Sequence, residues 1–191
     1  MKKLFLSTLL SSGIAASAFA QGFVALDNTA NTDQSPSALS NGLFWLNNGA
    51  AIVKMSGDFN AAFYGGTDQA NLSLIATFSG AGAAGSGFSG AGTWGDPNGQ
   101  GWAIPGSTVS GTAFMRVEAW DGSATSYALA LAGGAHTAQS IVFSNPMKAL
   151  PDAPPNLTGM PAVVLSAVPE PSTFALAGLG AAALLIFRRR K

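Results

Sequence analysis

Val109-Ser110-Gly111-Thr112-Ala113-Phe114-Met115-Arg116-Val117-Glu118-Ala119-Trp120 is the stretch that decides the class of fold. Along a β-strand, successive side chains point to opposite faces. Phe114, Arg116, Glu118 and Trp120 then share one face, and Met115, Val117 and Ala119 share the other. The second face is wholly apolar and reads as the core side. Arg116 and Glu118 read as partners of neighbours on an exposed side.

Shorter apolar runs lie on either side of this strand. Phe23 to Leu26, Leu43 to Leu46, Ala51 to Met55, Phe59 to Tyr64, Leu72 to Phe78, Ile141 to Phe143 and Ala162 to Leu165 are each bounded by turn residues. Asn48-Gly49 is a hairpin signal of the type I′ kind. Short strands spaced by roughly 8–15 residues favour a sandwich or barrel over alternating strand–helix units. One helix is expected at Tyr127 to Ala132, capped by Ser126 or Thr125 and stopped by Gly133-Gly134, although Tyr127, Leu129 and Leu131 also alternate as a strand would. His136 then falls in a loop. Two stretches are expected to carry little regular structure: the glycine-rich Gly80 to Gly92, and Pro146 to Pro161 with five prolines.

The chain has 191 residues, 9 basic and 9 acidic side chains, and no cysteine. Only 9% of residues are charged, against about 25% in ordinary soluble domains. Zero net charge argues against nucleic acid as a partner, because phosphate neutralisation needs a basic face. Absent cysteine excludes disulfides, thiolate–zinc sites and a cysteine nucleophile.

The two ends differ from the middle. Lys2 and Lys3 precede the uncharged, mainly apolar Leu4 to Phe19, and Ala18-Phe19-Ala20 supplies the small-x-small pattern that signal peptidase reads. Residues 1–20 therefore read as a secretory signal, with Gln21 as the first mature residue. At the other end, Val168-Pro169-Glu170-Pro171 is followed by an uncharged, mainly apolar stretch, 172–187, and by Arg188-Arg189-Arg190-Lys191. As a helix, that stretch would be roughly 24 Å long at about 1.5 Å per residue. Snorkelling arginines and local thinning would fit it to a hydrocarbon core of about 30 Å. The terminal cations would stay on the cytoplasmic side.

Between the ends lie 148 residues, 21–168, of which 67 are apolar. Lys54, Arg116 and Lys148 face Asp27, Asp33, Asp58, Asp68, Asp96, Glu118, Asp121 and Asp152, a net charge of −5. That much apolar mass is more than a disordered linker carries. The sequence thus predicts an all-β, β-sandwich-like ectodomain, jelly-roll or immunoglobulin-like, over residues 21–167. One short helix belongs to it, and a signal helix and a single transmembrane helix flank it.

The order of a Pro-Glu-Pro element, a short apolar segment and a basic cluster over residues 168–191 resembles the PEP-CTERM sorting signal of Gram-negative bacteria. The resemblance implies that a membrane-embedded exosortase cuts near Pro169 to Pro171 and releases or re-anchors the protein. It also implies an exported protein of the cell envelope, cell surface or extracellular matrix, often found with exopolysaccharide. Phe59 to Gly66, Arg116 to Asp121, Gln139 to Phe143 and Pro154 to Gly159 are similar to stretches of exported PEP-CTERM proteins of Verrucomicrobia-like bacteria. That likeness implies no activity.

Residues that could carry chemistry are few. Gly80-Ala81-Gly82-Ala83-Ala84-Gly85 fits a dinucleotide fingerprint, but Ser86-Gly87-Phe88-Ser89-Gly90 breaks the helix such a site needs, and Asp96 follows too soon. His136 lacks a nucleophile elbow around a serine. Glu118 and Asp121 start on opposite faces of a strand, which does not suit paired carboxylates. Asp27, Asn31 and Asp33 could offer oxygens to calcium, but simple Asx turns are the favoured explanation. Trp94 and Trp102 flank a turn and are the candidate glycan contacts, as a stacking pair. No catalytic residue, cofactor or metal is expected. The expected function is that of a non-enzymatic envelope or matrix protein; a carbohydrate-binding module and a small secreted hydrolase are the alternatives. Its expected partners are signal peptidase, an exosortase-type enzyme, the membrane and exopolysaccharide.

Overall fold

The computed structural model describes residues 21–30, 42–55, 59–79, 88–90, 92–96, 99 and 101–167. The expected signal 1–20 with Ala18 and Ala20, the motif 168–171, the expected membrane helix 172–187 and the basic tail 188–191 lie outside the described residues. So do Asn31, Asp33 and residues 80–87. The described part is mostly β-sheet with one short helix.

The predicted long strand is β9, Gly111–Asp121. Ala113, Met115, Val117 and Ala119 are fully buried on its core face, as the alternation requires. One edge of β9 pairs antiparallel along its length with β4, Phe59–Gly66, from Phe59 opposite Asp121 to Gly66 opposite Phe114. β4 in turn pairs with β5, Ser73–Phe78.

The other edge of β9 is shared by two strands. β10, His136–Gln139, runs beside its C-terminal half, and β11, Phe143–Ala149, beside its N-terminal half. The register passes from Gln139 opposite Glu118 to Phe143 opposite Met115. Three residues, Ser140 to Val142, therefore stand against two, Val117 and Arg116, as in a β-bulge. Ser140 bridges the gap: its N–H donates to the Val117 carbonyl at 2.8 Å, and the Val117 N–H donates to the Ser140 hydroxyl at 2.9 Å.

Beyond this bulge the sheet divides. β10 pairs with β12, Val163–Ala167, which lies parallel to β2, Phe44–Asn47, itself in a hairpin with β3, Ile52–Lys54. β11 pairs instead with β1, Gly22–Val24, which pairs with β8, Trp102–Ala103. The remaining strands, β6 at Phe88–Gly90 and β7 at Thr93–Trp94, pair with each other.

Ring contacts close the curled sheet over a shared core. Phe44 of β2 meets Phe59 of β4 with centroids 4.8 Å apart, and Phe78 of β5 meets Trp102 of β8 at 5.6 Å. Neither pair of strands is hydrogen-bonded. Trp94 sits among them, in ring contact with Phe44, Phe59, Phe63 and Phe78, and is fully buried. Tilted and edge-on aromatic pairs of this kind add to plain area burial.

Asn28 holds Trp94 in place. Its N–H donates to the Trp94 carbonyl at 2.9 Å, and its side-chain oxygen accepts from the Trp94 N–H. Its amide nitrogen donates to the carbonyls of Gly42 and Gly92, the latter at 3.2 Å. Asn28 is fully buried. One polar side chain thus joins three segments that share no regular ladder.

The structure corrects several expectations. Pro146 to Pro161 is not one loop: β11 continues through Pro146, which stands opposite Thr112. Proline is tolerated on a strand whose edge is free there, and β1 reaches only Lys148 and Ala149. The expected Ile141–Phe143 strand is the bulge and the start of β11. The glycine-rich segment contributes β6. Tyr127–Ala132 is helical, as α1, with the Ser126 hydroxyl accepting from the Leu129 N–H at 3.3 Å.

Asn28→Ala leaves the Trp94 N–H and the Gly42 carbonyl without a buried partner, and is expected to destabilise the fold by about 2–4 kcal/mol. Ser140→Ala strips the Val117 N–H in the same way and is expected to cost about 1–3 kcal/mol. Urea unfolding followed by tryptophan fluorescence checks both, with a lowered midpoint at unchanged slope as the expected result.

Candidate functional site

The outward face of β9 carries the polar side chains that the strand pattern set apart from the core. Glu118 is its centre. Tyr64 of β4 donates its hydroxyl to one carboxylate oxygen at 3.0 Å. Gln139 of β10 donates to the other at 2.8 Å, and Arg116 reaches that same oxygen at 3.3 Å. The Arg116 guanidinium lies 4.7 Å above the Tyr64 ring, within cation–π range. The cross-strand register explains the assembly, because Tyr64 stands opposite Arg116 and Gln139 opposite Glu118. The network ties three strands together and occupies both oxygens of the carboxylate.

Two residues further along β9, Trp120 continues the same face. It is buried although it points outward, because α1 lies over it. Tyr127 meets its ring edge-on at 6.5 Å, Ala130 packs beside it, and its indole N–H donates to the Ala124 carbonyl at 2.7 Å.

Asp121 ends the strand and holds His136. One carboxylate oxygen accepts the His136 backbone N–H at 2.8 Å, and the other lies 2.6 Å from the imidazole Nδ1. His136 is therefore the half-buried first residue of β10, and its expected place in a loop is corrected. Sequence reasoning missed this pair, because fifteen residues and a helix separate its members. The rigid signal was the Gly133-Gly134 stop, which returns the chain beside β9.

The Glu118 and Asp121 carboxylates belong to these two separate sets of hydrogen bonds. Among the described residues no group of three His, Asp or Glu side chains is placed to hold a metal ion. Asp27 closes an Asx turn, accepting the Thr29 N–H at 2.6 Å.

The proposed stacking pair is not an exposed platform. Trp94 has no accessible surface, since the phenylalanine cluster encloses it. Trp102 is half-buried, packs edge-on against Phe78 and donates its indole N–H to Asp96 at 2.9 Å. The flanking turn misled because it suggested exposure, whereas Asn28 draws Trp94 inward.

β12 carries the chain out of the domain. Its last residue, Ala167, stands opposite His136. At this residue the decisive comparison begins: residues 167–191 match the PEP-CTERM protein-sorting motif. The chain carries a PEP-CTERM sorting motif. It marks an exosortase substrate that is exported and reaches the cell surface or the extracellular space after processing. No curated protein and no solved structure matches the chain. Among the described residues no helix is long and apolar enough to cross a membrane.

Burial, then the hydrogen bond to Glu118 and its negative charge, raise the Tyr64 phenol above its ordinary value of about 10, against the opposing pull of Arg116. Below the ordinary value both folded and unfolded chains keep this proton. Above it the unfolded chain loses the proton first, so this contribution fades as pH rises through the elevated native value. Unfolding midpoints measured across the alkaline range are therefore expected to fall more steeply for the parent than for Tyr64→Phe. In a Tyr127→Phe variant, Tyr64 is the one tyrosine left of two. Its phenolate absorbance is expected to appear above about pH 10.

Proposed function

We propose that residues 21–167 form a non-enzymatic envelope or extracellular-matrix domain, delivered by a cleaved signal and a processed tail, and associated with exopolysaccharide. The observation that carries this reading is where the sheet starts and stops. Gly22, one residue past the expected signal-peptidase site before Gln21, is already paired with Ala149 and donates its N–H to the Ser107 hydroxyl at 2.9 Å. Ala167, the last residue of β12, directly precedes Val168, Pro169, Glu170 and Pro171. Both cleavages would leave every described strand whole.

The non-enzymatic part of the reading is supported by how the acids are used. Glu118 fastens β4, β9 and β10, and Asp121 fastens β10 to β9. A carboxylate held by several donors serves the fold. The exopolysaccharide part is supported by the motif and by a surface poor in charge, suited to hydroxyl-rich polymers.

Mass spectrometry of surface and secreted fractions is expected to find an N-terminus at Gln21 and a C-terminus between Pro169 and Ser172. Intact chains ending at Lys191 in every fraction would rule out sorting by cleavage. The processed protein is expected to co-sediment with exopolysaccharide purified from the producing cells. Recovery wholly in the supernatant would remove the matrix association.

A further inference from the structure

The geometry points to a membrane-facing end on this domain: before the tail is processed, α1 and the start of β3 rest on the lipid headgroups. The inference builds on the proposed reading that residues 172–187 enter the membrane.

Tether length limits how far the domain can stand from the bilayer. β12 ends at Ala167, and only residues 168–171 separate it from the apolar stretch. Five Cα steps span at most about 18 Å however the chain is arranged. The headgroup layer occupies about 5–8 Å of that on each side of the bilayer. The end of β12 is thus confined to the membrane surface for as long as the tail is inserted.

Exposed apolar side chains surround that end. One row of paired residues runs from Ile52 through Asn47, Ser166 and Thr137 to Trp120. Residues paired across strands share a face, and strands lie about 4.8 Å apart. Ile52 and the helix-covered Trp120 therefore flank Ser166 at about 10 Å on either side, on the outward face. Ile52 is 42% exposed, and on α1 Leu129 and Leu131 are 60% and 43% exposed.

Charge is scarce in the flanking segments. Residues 42–53 and 122–135 contain no Asp, Glu, Lys or Arg. Among the described residues, the acid at this end is Asp121, which is paired with His136. Among the described residues this surface combines exposed leucines with no unpaired acid, and it meets the headgroup region at little desolvation cost. The far end of β9 offers a contrast: Val109, also exposed at 61%, lies beyond Gly111 and about 30 Å or more from Trp120.

The natural absence of cysteine makes the test direct. Full-length Leu129→Cys, Ile52→Cys, Val109→Cys and Leu179→Cys variants are labelled with a polarity-sensitive fluorophore. They are reconstituted into vesicles of phosphatidylethanolamine and phosphatidylglycerol. An unaltered urea midpoint shows that each labelled chain is folded. Labels at 129 and 52 are expected to be quenched several-fold more strongly by headgroup-bound quencher than the label at 109, while the label at 179 responds to acyl-chain quencher. A buried label at 179 with 129 and 52 as open to aqueous iodide as 109 overturns the membrane-facing end and leaves the tail reading intact. A label at 179 that stays in water overturns both. Protection of 129 and 52 that depends on protein concentration and persists without lipid assigns the patch to a second copy and also overturns the inference.

Discussion

Everything in the sheet follows from how β9 divides its second edge. A strand eleven residues long offers more ladder than any one neighbour here fills. Ser140 resolves this at Val117, accepting from the Val117 N–H through its hydroxyl while its own N–H completes the other half of the exchange. The ladder therefore continues across a bulge with its buried groups satisfied. On the far side, β10 and β11 lead to different neighbours, and the sheet acquires two wings that can fold over one core.

Closing the β2 wing over β4 and β5 needs a filler that touches all three strands. Trp94 fills that role from a strand of two residues. Such a short strand cannot position a large ring unaided, and Asn28 supplies the constraint by pairing with both the N–H and the carbonyl of Trp94. Among the described residues, the Trp94 indole N–H has no hydrogen-bond partner. The site thus accepts one unsatisfied donor in exchange for ring contacts with four phenylalanines. The same economy shapes the outward face, where Glu118 is matched by Tyr64, Gln139 and Arg116, and Asp121 by His136. In a chain this poor in charge, Arg116, Glu118 and Asp121 join strands.

Part of this was legible in the residues. The alternation over Ala113 to Trp120 gives both faces of β9 correctly, because side-chain direction in a strand is a local property. The Asn47-Asn48-Gly49 hairpin and the Ser126-capped helix are equally local. Trp120 shows the limit of such reasoning. It follows the outward parity of Arg116 and Glu118, yet it is buried, because a helix that follows it in sequence folds back over it. Trp94 shows the converse: turn residues around it suggest exposure, and a distant asparagine places it in the core. β10 and the passage of β11 through Pro146 were hidden because they depend on pairing with β9 and not on their own composition.

The sequence by itself determined that the protein carries a sorting tail, because that signal is a linear order of proline, apolar and basic residues that needs no fold to be read. It also determined the β class, since a period of two is written in adjacent residues. Only the tertiary structure decided which tryptophans are buried, which acids are engaged, and that the chain leaves the domain beside His136, Asp121 and the exposed leucines of α1. Those outcomes depend on register between strands far apart in sequence, where a shift of one residue would turn each side chain to the opposite face.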